Sequence, residues 1–176
     1  MAASAALQAA ATHQSVDIVW TGPDADHPLD RLTGPALTEL VAEASTELLI
    51  VSYAAHDHPT VVAALAAAIH RGVDVTVLLE RHADNPTYRG AGDTFAALPL
   101  RRWVWPADRR PPGASLHAKI AVVDRRIALL GSANLTGRAL ADNLECGVLI
   151  RGGPLPEAVA AHLWSLRYAG ILTDAR

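Results

Sequence analysis

The sequence predicts an α/β fold with a mixed sheet, and three observations carry that expectation. Apolar runs of strand length alternate with Ala- and Leu-rich runs of helical period. The stretch from Glu47 to Leu79 reads strand–helix–strand, which calls for a parallel pair joined by a crossover. Further on, Asp124-Arg125-Arg126 sits between two strand-like runs as a hairpin, which adds antiparallel strands to the same sheet.

The elements follow in order. Val16 to Trp20 reads as a short strand, and a polar, proline-containing loop runs from it through Arg31. Pro35 to Ala44 has helical periodicity, with Thr33 placed to cap it. Glu47 to Tyr53 is a buried strand by its continuous apolar run, Pro59 to His70 an Ala-rich helix stopped by Gly72, and Val73 to Leu79 an alternating strand. Asn85 to Gly92 is loop, Asp93 to Leu98 a short helix, Leu100 to Trp105 a strand and Pro106 to Gly113 an exposed loop. Ser115 to Val123, Ile127 to Ser132 and Leu144 to Ile150 are three more strands, and Leu155 to Tyr168 is an amphipathic helix.

Composition narrows the class. A chain of 176 residues suffices for one compact domain, and 51% hydrophobic residues excludes a disordered protein. A net charge of -3 is not that of a protein that coats nucleic acid by bulk electrostatics, so polyanion binding would use a local patch. Cys146 is the single cysteine, which excludes an internal disulfide and a thiolate metal cluster; its strand-like setting predicts a small buried side chain. Residues 1–15 read as a tail or short helix, and 16–176 as a single domain. The first basic residue is Arg31, so the start lacks the charge of a secretory signal and the length of a membrane span; a cytoplasmic protein without membrane contact is expected.

The chemistry concentrates between His117 and Asn134, where H-A-K-I-A-V-V-D is followed, after six residues, by G-S-A-N, once in the chain. Alternation puts His117 and Lys119 on one face of a strand. If Arg125 and Arg126 alone form the hairpin loop, Asn134 falls opposite His117 and Ser132 opposite Lys119; a three-residue turn would shift that register by one. Lys119 brings a charge and three donors and Asn134 a neutral donor, while Ser132 completes the grip on a phosphate. His117 suits a nucleophile, and Gly131 permits close approach of backbone to ligand. Glu145, eleven residues beyond Asn134, is placed to hold the other ring nitrogen of His117 and fix its tautomer.

At these residues the chain resembles the phospholipase D superfamily, whose H-x-K-x4-D-x6-G-S-x-N signature is complete here. Glu145 stands where the family carries its histidine-orienting carboxylate, and Ile50 to Glu80 is similar to the family's strand–helix–strand opening. The resemblance implies an α-β-α sandwich with a mixed sheet and a metal-independent phosphodiesterase that needs no cofactor. It further implies a homodimer in which His117 of one copy forms a phosphohistidine and His117 of the other acts as acid and base. Lys119 and Asn134 would hold the phosphate, and Asp124 would be structural. A narrower similarity, carried by V-W-T-G-P (Val19 to Pro23), is to the phospholipase-D-like component of bacterial DISARM anti-phage systems, which implies a defence role beside other subunits.

The expected activity is a nuclease with DNA as the favoured substrate. The alternatives are a lipid phosphodiesterase and a catalytically silent nucleic-acid-binding module of a defence complex. Arg101, Arg102, Arg109 and Arg110, interleaved with Trp103 and Trp105, form the candidate nucleic-acid patch, since arginine pairs with phosphate and indole stacks on bases. The competing reading is a strand with its tryptophans inward and its arginines in solvent. His56-Asp57-His58 fits a helix cap or site rim better than a metal site. His13, His27, His70, His82 and His162 have no partner pattern, and Arg125 and Arg126 at the hairpin tip are expected in solvent.

Overall fold

Among the described residues the chain forms eight strands and four helices. β1 (Ser15–Thr21) precedes α1 (Thr33–Glu43), and β2 (Glu47–Ser52), α2 (Pro59–His70) and β3 (Asp74–Leu79) follow. Then come β4 (Arg101–Val104), β5 (Ile120–Val123), β6 (Ile127–Gly131), α3 (Gly137–Ala141), β7 (Glu145–Arg151), α4 (Leu155–Tyr168) and β8 (Thr173–Asp174). The structure, a computed structural model, describes residues 13–23, 32–90 and 94–175. Most of the expected N-terminal tail, most of the loop to Arg31 (His27 included) and Asp93 lie outside them.

One sheet carries the strands in the order β1-β7-β6-β5-β2-β3-β4-β8. β2 runs parallel to β3 and β3 to β4, while the remaining neighbours are antiparallel. The central β2 explains its own sequence. Leu48 and Ile50 enter one core with Leu37, Leu40 and Leu65 of α1 and α2, and Leu49 and Val51 enter a second with Ala160 and Leu163 of α4. A strand buried on both faces reads as an uninterrupted apolar run. Leu140 of α3 joins the first core, so three helices cover one face and α4 the other. This is the α-β-α sandwich with a mixed sheet that the sequence predicts. No helix among the described residues is long and apolar enough to cross a membrane.

Several local expectations are corrected. Thr33 does not cap α1; the N-cap is Leu32, and the Thr33 hydroxyl accepts a buried 2.6 Å hydrogen bond from Thr21 instead. Residues 94–98 form turns rather than a helix, with Phe95 at φ 61, a left-handed conformation that a helix cannot pass through. Cys146 is exposed. It shares a face of β7 with Ile150, but the α4 side chains pack over Val122 and Ala128 and do not reach it.

The largest correction concerns the hairpin. Val123 pairs with Ile127, so Asp124, Arg125 and Arg126 all belong to the turn, with Asp124 at φ 49 and Arg125 at φ 55. Ile120 therefore faces Leu130, and Asn134 is not opposite His117. Asp124 explains the extra turn residue. Its carboxylate accepts from the backbone N–H of Ser45 (3.0 Å), Thr46 (2.8 Å) and Glu47 (2.9 Å) and from the hydroxyls of Ser45 (2.7 Å) and Thr46 (2.8 Å). Those bonds offset the cost of a left-handed backbone, which Asp tolerates better than most residues. Arg125 is likewise engaged, donating to Glu47 (3.0 Å) and Glu157 (3.1 Å), whereas Arg126 is exposed as expected.

Candidate active site

β2 ends, β5 begins, β6 ends and β7 begins at one end of the sheet, because β2/β5, β5/β6 and β6/β7 are each antiparallel. The alternation gathers Tyr53, His117, Lys119, Asn134 and Glu145 there, and sends Asp124 to the opposite end. His117 is exposed, on a segment that precedes β5. The Lys119 ammonium lies 2.9 Å from its Nδ1, 3.4 Å from its Nε2 and 2.8 Å from its backbone oxygen, to which it donates.

Burial lowers the Lys119 ammonium pKa below its usual value, and the charge of Glu145 partly restores it. The site thus carries a cation held in place by the protein. Asn134 arrives through the bend after β6, not across the ladder. Its Oδ1 accepts from the Ala54 N–H at 3.2 Å and from Ser52 Oγ at 3.5 Å, and Leu135 next to it bridges to Ala55. With Oδ1 committed to the end of β2, Nδ2 is the donor end of the amide.

Glu145 and Ser132 form a different arrangement from the one expected. Ser132 Oγ donates to Glu145 and accepts from the Cys146 N–H at 3.1 Å, while Asn143 donates to Glu145 at 3.2 Å. Glu145 therefore acts on Lys119 through its charge, and its oxygens rest on Ser132 and Asn143, not on the His117 ring. Gly131 also serves a different approach. It faces Gly147 across the β6–β7 ladder, where an added Cβ would stand 3.1 Å from the Cys146 carbonyl and 3.2 Å from the Gly147 Cα. The close contact is strand to strand.

In the candidate nucleic-acid patch Trp103 and the Arg110 side chain are buried, while Arg101 and Arg109 are exposed. Trp103 is 2% exposed in the second core, edge-on to Trp164 at 4.8 Å. The Arg110 side chain, 4% exposed, pairs with Glu80 at 2.8 Å and lies 4.9 Å over the Trp105 ring, whose N–H donates to Arg109. Arg102 donates to the carbonyls of Phe95, Leu98 and Leu100, and Arg109 to that of Gly170. Arg101 pairs with Asp74 at 3.1 Å. Each of these guanidinium groups has a partner within the chain, so the inward Trp103 matches the competing reading, whereas the buried Arg110 matches neither. His56 and His58 edge the site: the His56 N–H donates to Leu135, and His58 precedes α2 against Gly137. Asp57 accepts from the Phe95 N–H at 2.7 Å instead of capping the helix.

Tyr53 is the site residue that sequence reasoning missed. Its ring lies 5.1 Å from the His117 ring, 5.8 Å from the Lys119 ammonium and edge-on to buried Tyr88 at 5.3 Å. The available signal was its position one residue past β2, at the same sheet end as the motif.

Comparisons with known proteins bear on the family and the fold. A family model described as "Cardiolipin synthase, PLD-like domain" matches residues 37–167. Cardiolipin synthase A of Pseudomonas aeruginosa is 40% identical over 89 residues, which are 51% of this chain and 18% of that protein, so the chain matches under a fifth of this relative's length. Among solved structures, the phospholipase D family member Nuc from Salmonella typhimurium superposes with TM-score 0.67 at 23% identity, over 93% of this chain and 99% of that one. Phosphatidylserine synthase from Haemophilus influenzae gives TM-score 0.66 at 19% identity, over 92% of this chain and 40% of that one. The chain belongs to the phospholipase-D-like family.

Proposed function

We propose that the protein is a cytoplasmic, metal-independent nuclease, with DNA as its favoured substrate, whose site is completed by a second copy of the chain. The observation that carries this reading is the exposed His117 ring held against the Lys119 ammonium, with Asn134 anchored alongside. In the first step a ring nitrogen of His117 attacks phosphorus, the bond to the leaving oxygen breaks, and an imidazolium supplies that oxygen's proton. In the second, the now neutral second imidazole takes a proton from water, whose oxygen attacks phosphorus and breaks the P–N bond. Lys119 and Asn134 stabilise the charge that grows on the non-bridging oxygens.

Nucleophile and acid are two roles, and among the described residues the His117 ring meets Tyr53 and Lys119 rather than a second histidine. His117 of a second copy fills the vacant role, and the near end-to-end match to Nuc supports a small domain of this kind. A lipid phosphodiesterase is the second reading, favoured by the identity to cardiolipin synthase. A part in anti-phage defence, with partner subunits, rests on Val19 to Pro23 and would be tested by plaque counts with and without His117→Ala.

The direct test incubates the protein in EDTA with single- and double-stranded DNA and RNA, and separately with phosphatidylglycerol vesicles, beside His117→Ala. Strand cleavage by the wild type alone supports the nuclease. Lipid turnover without strand cleavage supports the second reading. DNA binding without either favours the silent module.

A further inference from the structure

His117 lies ahead of the sheet ladder. A strand was expected from Ser115, but β5 begins at Ile120, and the segment before it meets β6 only at Lys119, whose carbonyl accepts the Gly131 N–H at 3.1 Å. Something else must hold His117 where it can attack, and the structure shows a buried carboxylate one residue away. Glu80 follows β3 with its side chain 1% exposed, and its Oε2 accepts the Leu116 N–H at 3.0 Å. Arg110 grips both carboxylate oxygens, at 2.8 and 3.1 Å, and the Arg81 N–H (3.3 Å) and Asn85 amide (3.4 Å) complete the shell.

Arg110 also donates to the carbonyls of Trp105 and Ala114, the two ends of the loop leading to the site. The Leu116 side chain is 8% exposed in the second core, so this residue is fixed by both backbone and side chain while His117 beside it faces solvent. Buried ion pairs seldom add stability over apolar groups of the same volume, so energy alone does not account for this one. A charged acceptor does hold a backbone N–H more firmly than a neutral one.

We propose that Glu80, clamped by Arg110, is a positioning residue that holds the His117 backbone in its attacking place through the Leu116 N–H. The catalytic part of this inference rests on His117 being the nucleophile; the anchoring part does not.

The test compares Glu80→Leu/Arg110→Met, an apolar replacement of the pair that leaves the Leu116 N–H without its acceptor, with Glu80→Gln, which keeps one acceptor oxygen. Thermal midpoint, Leu116 amide exchange, the His117 ring NMR line width, and kcat and KM on bis(p-nitrophenyl) phosphate are read for each. The double variant is expected to fold, to exchange Leu116 at least about 10-fold faster and to broaden the His117 ring signal. Its kcat should fall about 100-fold with KM within about twofold, because ~1 Å of misplacement costs that much. Glu80→Gln should recover kcat to within about 10-fold of wild type. If the double variant does not fold, Glu80→Gln alone decides, with an intermediate loss in kcat and intermediate Leu116 exchange expected. Unchanged Leu116 exchange overturns the anchor, and fast exchange with wild-type kcat overturns the positioning role. If the wild type hydrolyses no phosphodiester, the proposed function fails, whereas exchange and ring line width still decide whether Glu80 holds His117.

Discussion

Replacing Asp124 by asparagine keeps the side chain's shape, removes its charge and turns a donor toward the Ser45 N–H and hydroxyl that Oδ2 now accepts. The bonds to Oδ1 from Thr46 and Glu47 survive in weaker, uncharged form. Hydrogen bonds to a charged group contribute about 1.5–3 kcal/mol each and neutral ones about 0.5–1.5. Asp124 is only half-buried, so water replaces part of what is lost, and the expected net cost is about 2–3 kcal/mol. In a domain of this size that lowers the thermal midpoint by roughly 4–10 °C.

The effect should depend on pH in a stated direction. Burial alone would raise the Asp124 carboxyl, but the donors from Glu47, Ser45 and Thr46 outweigh it and hold the group well below the usual carboxylate range. Its stabilisation is therefore complete above the unfolded-state value of about 3.9 and is lost as pH falls through the lower folded-state value. Urea unfolding followed by tryptophan fluorescence should show the full difference between wild type and variant at pH 7 and 5, and a shrinking one below about pH 4. Turnover per folded molecule should stay within about twofold, since Asp124 sits at the sheet end away from His117. A difference under about 0.5 kcal/mol at pH 7, or lost turnover in a stable variant, would refute this structural role.

Glu145→Gln removes the charge that raises the Lys119 ammonium, so the alkaline limb of the pH–rate profile should move to lower pH; an unmoved limb would separate Glu145 from Lys119. Tyr53→Phe should keep turnover within about twofold, while Tyr53→Ala should lower kcat about 10-fold by freeing the His117 ring, so equal effects would count against ring packing. Gly131→Ala should cost about 1–3 kcal/mol in unfolding free energy, because its Cβ meets backbone across the β6–β7 ladder, and a neutral substitution would count against that close approach.

The sheet was legible in the sequence because its strands carry their burial openly. Glu47 to Ser52 is apolar on both faces, and the span to Leu79 has the lengths a parallel crossover requires. The site was legible as a set of residues, since the fixed spacing from His117 to Asn134 survives without knowledge of the ladder. Its geometry was not. One residue of register depended on whether Asp124 entered the turn, and that was decided by donors seventy-seven to seventy-nine residues away in Ser45, Thr46 and Glu47. The Arg101 to Arg110 stretch stayed open for a related reason: interleaved arginine and tryptophan read the same whether they face a polyanion or, as Arg110 and Trp103 do, fold onto Glu80 and the α4 core. Cys146 was misjudged because alternation along a strand says which face a residue takes, not how far the covering helix extends.

The proposed reaction passes through a covalent bond between His117 and phosphorus, so trapping that adduct is the most direct measurement. The protein would be mixed in EDTA with bis(p-nitrophenyl) phosphate, quenched in alkali within the first turnover and analysed by peptide mass spectrometry. An acid-labile nitrophenyl phosphate adduct is expected on the peptide containing His117, absent from His117→Ala. Turnover with no such adduct, or with the adduct on another residue, would contradict that reaction.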